Sequence, residues 1–157
     1  MASKDYEEFI ALLNANGVRY LIAGAHAVAF HARPRATKDI DIFHDPSPDA
    51  ADRILLSIRQ FFGGADLGLT VEDLTNPDTI VQFGVAPLRV DLLSSLSGIR
   101  SFEEAWANRV DAKYGDVGAH YLCLDDLMRA KTASGRHQDK ADLRSIQRAR
   151  ARKPRGQ

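Results

Sequence analysis

Two aspartates separated by one residue, Asp39 and Asp41, are the side chains in this sequence best placed for chemistry. Charged and apolar residues alternate through Lys38–Phe43, which is the pattern of a half-buried β-strand. Both carboxylates then lie on one side of the strand, roughly 7 Å apart at Cα, because a strand rises about 3.3 Å per residue. Such a pair binds hard cations such as Mg²⁺, and without a cation its members repel each other. An exposed strand with two solvated acids has the same pattern, so the pair alone leaves the function open.

The segment before this strand predicts a phosphate-binding turn. Arg19–Ala23 has the composition of a short buried strand, and Gly24 is followed by an apolar stretch that favours a helix ending near Arg33. Glycine at a strand-to-helix turn lets the backbone approach a ligand closely. The first turn of the helix then offers free N–H groups and the positive end of the helix dipole, which together suit a phosphate.

A third carboxylate, Asp91, lies in the strand-like run Leu88–Leu93. The apolar run Thr79–Val85 precedes it, and the two-residue connection between the runs makes a hairpin plausible. We expect this hairpin to place Asp91 beside Asp41 on a neighbouring strand. Arg89 is on the same side of its strand as Asp91, so an ion pair between these two is the alternative to a metal site.

The spacing of these residues resembles that of the nucleotidyltransferase superfamily, whose members share the core of DNA polymerase β. Members have a hydrophobic residue, Gly, and Gly or Ser, then Asp-x-Asp after about nine to thirteen residues, and a third acid on a later strand. The corresponding residues here are Ala23, Gly24, Ala25, thirteen intervening residues, Asp39, Asp41 and Asp91. The segment 24–42 is especially similar to a small bacterial branch that includes AbiEii-like toxins. Ala25 departs from the pattern, because a hydroxyl that can contact phosphate is missing there.

The resemblance implies a fold and an activity. The fold is α/β (α+β), a short mixed sheet flanked by helices, with a C-terminal helical pair that closes one side. The activity is Mg²⁺-dependent transfer of a nucleoside monophosphate from an NTP such as ATP to an acceptor hydroxyl, with release of pyrophosphate. Asp39 and Asp41 would hold two Mg²⁺ ions, or Mn²⁺, and Asp91 would hold the ion that activates the acceptor.

The same resemblance implies further nucleotide-binding residues. Gly24 and the N–H of Ala25 would contact the phosphates. The strand pattern itself adds Arg35 and Thr37, which lie on the same side as Asp39 and Asp41 if the strand begins early. There Arg35 either contacts a phosphate or balances the charge of the aspartates.

Near the C-terminus a segment is similar to the closing segment of the superfamily. Lys131 and Arg136 within it would reach the triphosphate, while Gln138 replaces the usual lysine. We expect Asp139 and Asp142, three residues apart at the start of a helix, to act as caps or salt-bridge partners.

Composition predicts one cytoplasmic domain over residues 1–150, followed by a basic, disordered tail over 151–157. The chain of 157 residues has no net charge, yet ten basic and only two acidic residues follow from Arg129 onward. No apolar run reaches 18 residues and the first residues are acidic, so we expect neither a membrane partner nor a signal peptide. The single cysteine, Cys123, excludes an internal disulfide.

The sequence leaves the acceptor and the biological role open. The acceptor is tRNA, a protein hydroxyl or a small molecule such as an antibiotic, and a toxin-like role would bring a cognate antitoxin as partner. A different class of protein is a catalytically weak or inactive relative that binds a partner or nucleotide, which Ala25 and Gln138 favour. A nucleic-acid-binding module that uses the basic C-terminus lacks the interleaved aromatic residues typical of such modules.

Overall fold

The computed structural model describes residues 3–34, 37–85 and 88–152. The strands are β1 (Tyr20–Ala23), β2 (Asp39–His44), β3 (Ile80–Phe83), β4 (Arg89–Leu93), β5 (Val110–Tyr114) and β6 (Val117–Tyr121). The helices are α1 (Lys4–Ala15), α2 (Gly24–His31), α3 (Pro48–Phe61), α4 (Val71–Thr75), α5 (Phe102–Ala107), α6 (Leu124–Ser134) and α7 (His137–Arg152).

The six strands form one mixed sheet in the order β3-β4-β2-β1-β6-β5. β2 is parallel to β4 and antiparallel to β1, while β1 is parallel to β6. Two antiparallel hairpins, β3–β4 and β5–β6, complete the two edges. The expected hairpin is therefore present, and its second strand lies directly beside the acidic strand β2.

Each face of the sheet carries its own apolar core, because alternate residues of a strand point to opposite faces. On one face Tyr20, Ile22, Ile40 and Ile42 pack against residues of α1 and α3 such as Phe9 and Ile54. The other face packs a second set of buried side chains against helices α2, α5, α6 and α7. Its members are Leu21, Ala23, Ala27, Val28, Phe43, Phe102, Ala105, Leu122, Leu127 and Ile146. Asp39 and Asp41 alternate with Ile40 and Ile42, so they lie on this second face.

Local signals in the sequence set the helix boundaries. The Ser47 hydroxyl accepts a hydrogen bond from the Ala50 N–H, and Pro48 occupies the first position of α3, where a missing N–H costs nothing. Ser101 caps α5 in the same way. Gly135 ends α6 in the left-handed conformation, which glycine adopts without a steric penalty.

The expected C-terminal helical pair is α6 and α7. Helix α7 extends through Arg152, so the first two residues of the tail expected over 151–157 belong to a helix, and residues 153–157 lie outside the described part of the chain. None of the described helices is both long enough and apolar enough to span a membrane. Cys123 is a free thiol whose sulfur accepts from the Asp126 N–H at the start of α6.

Candidate active site

Three carboxylates converge on the face of the sheet that carries α6 and α7. Asp41 and Asp91 are direct Cα partners in the parallel pair β2–β4, and Asp39 precedes Asp41 by two residues on the same side. One oxygen of each aspartate lies within 4.8 Å of an oxygen of the other two. Within residues 3–34, 37–85 and 88–152, no other group of three acidic, histidine or cysteine side chains comes this close.

Burial and mutual repulsion act on two of these carboxylates. Burial raises the pKa of Asp41 to about 6, and the charges of Asp91 and Asp39 add to this, while Lys131 and Arg136 oppose it. Burial and the charge of Asp39 also raise the pKa of Asp91, which is only 9 % exposed. In the metal-free protein the ionised form of each of these two carboxylates is therefore disfavoured.

The pKa of Asp39 shifts in the opposite direction, because two hydrogen-bond donors contact its carboxylate. Burial on its own would raise the pKa of Asp39, but hydrogen bonds from Arg89 and Thr37 outweigh burial and lower it. Arg89 Nη2 lies 2.7 Å from Asp39 Oδ2, and Thr37 Oγ1 donates to Oδ1 at 3.0 Å. Thr37 therefore contacts the aspartate directly.

Gly24 begins α2 with a φ of +58°, in the left-handed region. A Cβ at this position would stand 2.1 Å from Asp41 Oδ2 and 2.9 Å from its carboxyl carbon. The sequence predicts that this glycine lets the backbone approach a ligand. In the structure the group that approaches the backbone of Gly24 closely is the carboxylate of Asp41.

An open cleft of about 740 Å³ lies over the carboxylates. Within the described residues it is lined by every side chain or backbone position expected to bind metal or nucleotide. These are Gly24, Ala25, Thr37, Asp39, Asp41, Asp91, Lys131 and Arg136. Arg35, the remaining expected residue, lies outside the described part of the chain.

Lys131 and Arg136 form the cationic wall of this cleft, but carboxylates of α7 already neutralise them. The buried Lys131 Nζ is 3.1 Å from Asp139 Oδ1 and 2.9 Å from Asp142 Oδ2. The exposed Arg136 donates through Nε to Asp139 Oδ2 at 2.8 Å. Asp139 and Asp142 are thus salt-bridge partners, as expected, and they join α6 to α7.

Sequence reasoning missed Gln82. It is the Cα partner of Asp91 across the β3–β4 pair, lines the cleft, and lowers the pKa of Asp91 through a side-chain hydrogen bond. Ala23, Asp41, Asp91 and Gln82 consequently form one row across four strands. The alternation of Gln82 with the apolar Val81 and Phe83 is the sequence signal that could have identified it.

The fold has a relative among solved structures. The chain is similar to the crystal structure of an antigenic nucleotidyltransferase-like protein from Paracoccidioides brasiliensis, with a TM-score of 0.53 and 15 % sequence identity. The match covers 93 % of this chain and 75 % of that protein, and at this identity it shows the fold alone. No curated protein sequence matches the chain.

A protein family described as "Nucleotidyl transferase of unknown function (DUF2204)" matches residues 2–155. The matched range contains all three aspartates and both helices of the cationic wall. The match does not distinguish the AbiEii-like branch from other branches of the superfamily. Because it spans nearly the whole chain, the protein belongs to this nucleotidyl transferase family.

Proposed function

We propose that this protein transfers a nucleoside monophosphate from an NTP to an acceptor hydroxyl in a reaction that depends on Mg²⁺ or Mn²⁺. Family membership supports nucleotidyl transfer in general. The observation that carries the finer proposal is the convergence of Asp39, Asp41 and Asp91 in a cleft that Lys131 and Arg136 also line.

The three aspartates fit a divalent cation. They offer only oxygen ligands, which Mg²⁺ prefers, and Asp91 Oδ1 is buried with no hydrogen bond to another described group. Burial raises the pKa of Asp41, the charges of Asp91 and Asp39 raise it further, and a bound cation would relieve this repulsion. Asp39 and Asp41 would hold two ions and Asp91 one of them. When bound, the metal supplies charge stabilisation at the phosphoryl group and lowers the pKa of the acceptor hydroxyl.

The protein itself orients the two reactants. Gly24 and Ala25 line the cleft at the start of α2, and the free N–H groups of a helix N-terminus suit phosphates. Lys131 and Arg136 line the same cleft and act to lower the pKa of Asp41, and we propose that they reach the triphosphate although carboxylates of α7 pair with both. We propose the same phosphate contact for Arg35, while Thr37 fixes one oxygen of Asp39.

The transfer step needs a base close to the acceptor. Asp91 accepts the hydroxyl proton, because it is part of the carboxylate cluster that would hold the ion next to the acceptor. The acceptor oxygen then forms a bond to the α-phosphorus as the bond to pyrophosphate breaks.

The acceptor and the biological role are part of this proposal. The resemblance to AbiEii-like proteins is consistent with a cytoplasmic toxin-like enzyme. Its acceptor would be tRNA, a protein hydroxyl or a small molecule, and an antitoxin would hold it inactive. The alternative is a protein that binds nucleotide or a partner without transfer. Ala25 favours this alternative because it offers no hydroxyl to a phosphate.

The test is labelling of an acceptor from α-labelled NTPs. Purified protein with Mg²⁺ or Mn²⁺ is incubated with each NTP and with lysate separated into RNA, protein and small-molecule fractions. We expect label in one fraction together with pyrophosphate release, and loss of both in Asp39→Ala. Asp49→Ala is the matched control, since Asp49 is an exposed carboxylate on α3, which packs on the opposite face of the sheet.

Metal-dependent binding of NTP without label in any fraction would favour the alternative. Absence of NTP binding in the presence of metal would contradict both nucleotidyl transfer and nucleotide binding, and would leave partner binding as the function.

A further inference from the structure

Arg89 stands between two of the three carboxylates. It is the Cα partner of Asp39 in the parallel pair β2–β4, and Asp91 follows it by two residues on the same face. Its Nη2 donates to Asp39 Oδ2 at 2.7 Å, and its Nε lies 3.5 Å from Asp91 Oδ1. A permanent positive charge therefore already lies inside the cluster proposed to hold metal.

These two contacts differ in kind. Each oxygen of Asp39 accepts a hydrogen bond, Oδ2 from Arg89 and Oδ1 from the Thr37 hydroxyl. Arg89 Nε and Asp91 Oδ1 are both buried, and neither makes a hydrogen bond to another described group. Arg89 is thus bonded to Asp39 but only electrostatically attracted to Asp91.

Arg89 has room to move. Its side chain is 41 % exposed and lines the cleft, in which the triphosphate is proposed to lie. A long side chain of this kind changes rotamer without disturbing the strand that carries it.

We propose that Arg89 is the counter-ion of the cluster in the metal-free protein, and that metal binding transfers it from Asp39 to the triphosphate. This inference rests on the metal-dependent function proposed above. A guanidinium keeps its charge at every pH the protein tolerates, so Arg89 competes with a dication for Asp39 Oδ2. A guanidinium released into the cleft matches phosphate oxygens with its planar set of donors.

The exchange couples the two ligands. Metal binding releases Arg89 from Asp39, so that Arg89 can contact the nucleotide. A bound nucleotide in turn keeps Arg89 away from Asp39, where it would compete with the metal. Each ligand therefore raises the affinity for the other by the same factor, as linkage requires. Arg89 acts as a positioning residue for the nucleotide and as a barrier to binding of metal alone.

The test measures binding rather than turnover. Isothermal titration gives the affinity for Mn²⁺ alone, and for a non-hydrolysable NTP analogue with and without Mn²⁺. In Arg89→Gln we expect affinity for Mn²⁺ alone to rise about tenfold, and affinity for the analogue with Mn²⁺ to fall about tenfold, as for a lost charge-assisted hydrogen bond. The coupling factor should fall towards one.

Arg129→Gln is the matched control. Arg129 pairs with Asp126 at the same 2.7 Å distance but does not line the cleft, so its loss should leave both affinities unchanged. If Arg89→Gln fails to fold, Arg89→Met removes the same charge while keeping the apolar stem.

Two results separate this inference from the proposed function. Unchanged or weaker Mn²⁺ binding in the charge-removing variants, with wild type binding both ligands, would overturn the exchange and leave the function standing. Failure of the wild type to bind Mn²⁺ and analogue together would overturn the function itself.

Discussion

The carboxylate of Asp41 lies against the backbone of Gly24, so closely that no other residue fits at position 24 without displacing it. This contact joins the turn before α2 to the middle of β2. It fixes the distance between the N–H groups proposed to bind phosphate and the carboxylates proposed to bind metal.

Gly24→Ala should therefore lower both stability and the response to metal. Left-handed φ and the clash with Asp41 together cost roughly 2–5 kcal/mol. Gly63→Ala is the control, because Gly63 has a φ of +68° and an added Cβ there would meet nothing within 4 Å, so the change should cost only about 1–2 kcal/mol. Urea unfolding measures the difference, and equal costs would contradict the packing argument.

Asp41→Asn should stabilise the metal-free protein at neutral pH. The folded-state pKa of Asp41, about 6, exceeds its unfolded value of 3.8, so the wild type loses stability as pH rises from about 4 through 6. The variant lacks this loss and gains up to roughly 3 kcal/mol at pH 7.5, because each pKa unit corresponds to about 1.4 kcal/mol. Urea unfolding at pH 4 and pH 7.5 measures the gain, which should be present only at the higher pH.

Asp41→Asn should also lose most of the rise in melting temperature that Mg²⁺ or Mn²⁺ gives the wild type, since a ligand of the native state stabilises it. A thermal melt with and without metal checks this. The same metal response in both proteins would rule out Asp41 as a ligand.

Lys131→Met should destabilise the α6–α7 pair. The change removes the cation that faces two buried carboxylates, Asp139 and Asp142, and a broken buried pair costs about 3–5 kcal/mol. Adding Asp142→Asn should recover part of the loss. Lys4→Met, which breaks the exposed pair with Glu7, should cost less than about 1 kcal/mol. Comparable losses for the two lysines in urea unfolding would contradict a structural role for Lys131.

Ala25→Ser should tighten NTP binding. The added hydroxyl offers one neutral hydrogen bond, worth about 0.5–1.5 kcal/mol, or roughly three- to thirteenfold in affinity. Isothermal titration with NTP and Mg²⁺ measures this, and Ala65→Ser on an exposed turn is the control. An unchanged affinity would place the phosphates away from the start of α2.

Short-range patterns in the sequence predicted much of the fold and the acidic strand. The alternation in 38–43 placed Asp39 and Asp41 on one face, because the two-residue period belongs to a single strand and needs no partner. In the structure Ser47, Ser101 and Gly135 lie at helix ends, where caps and left-handed turns likewise act within a few residues.

Relations between distant residues rest on the predicted hairpin and on the resemblance, and the sequence does not predict the others. Asp91 reaches Asp41 because β2 and β4 pair in parallel with this register. The spacing along the chain allows other registers, and a slip of one residue would point Asp91 to the opposite face. Gln82 lies in the first strand of the predicted hairpin, but its role depends on the register that pairs it with Asp91, which the sequence does not fix.

The sequence by itself thus determined which residue types are available and which side of its own strand each side chain occupies. The tertiary structure decided which of them meet. It placed Asp41 against Gly24, Arg89 between Asp39 and Asp91, and Lys131 between two carboxylates of α7. The physical reason is that strand alternation and helix caps are local, whereas strand register and helix docking depend on burying two apolar cores at once on the two faces of the sheet.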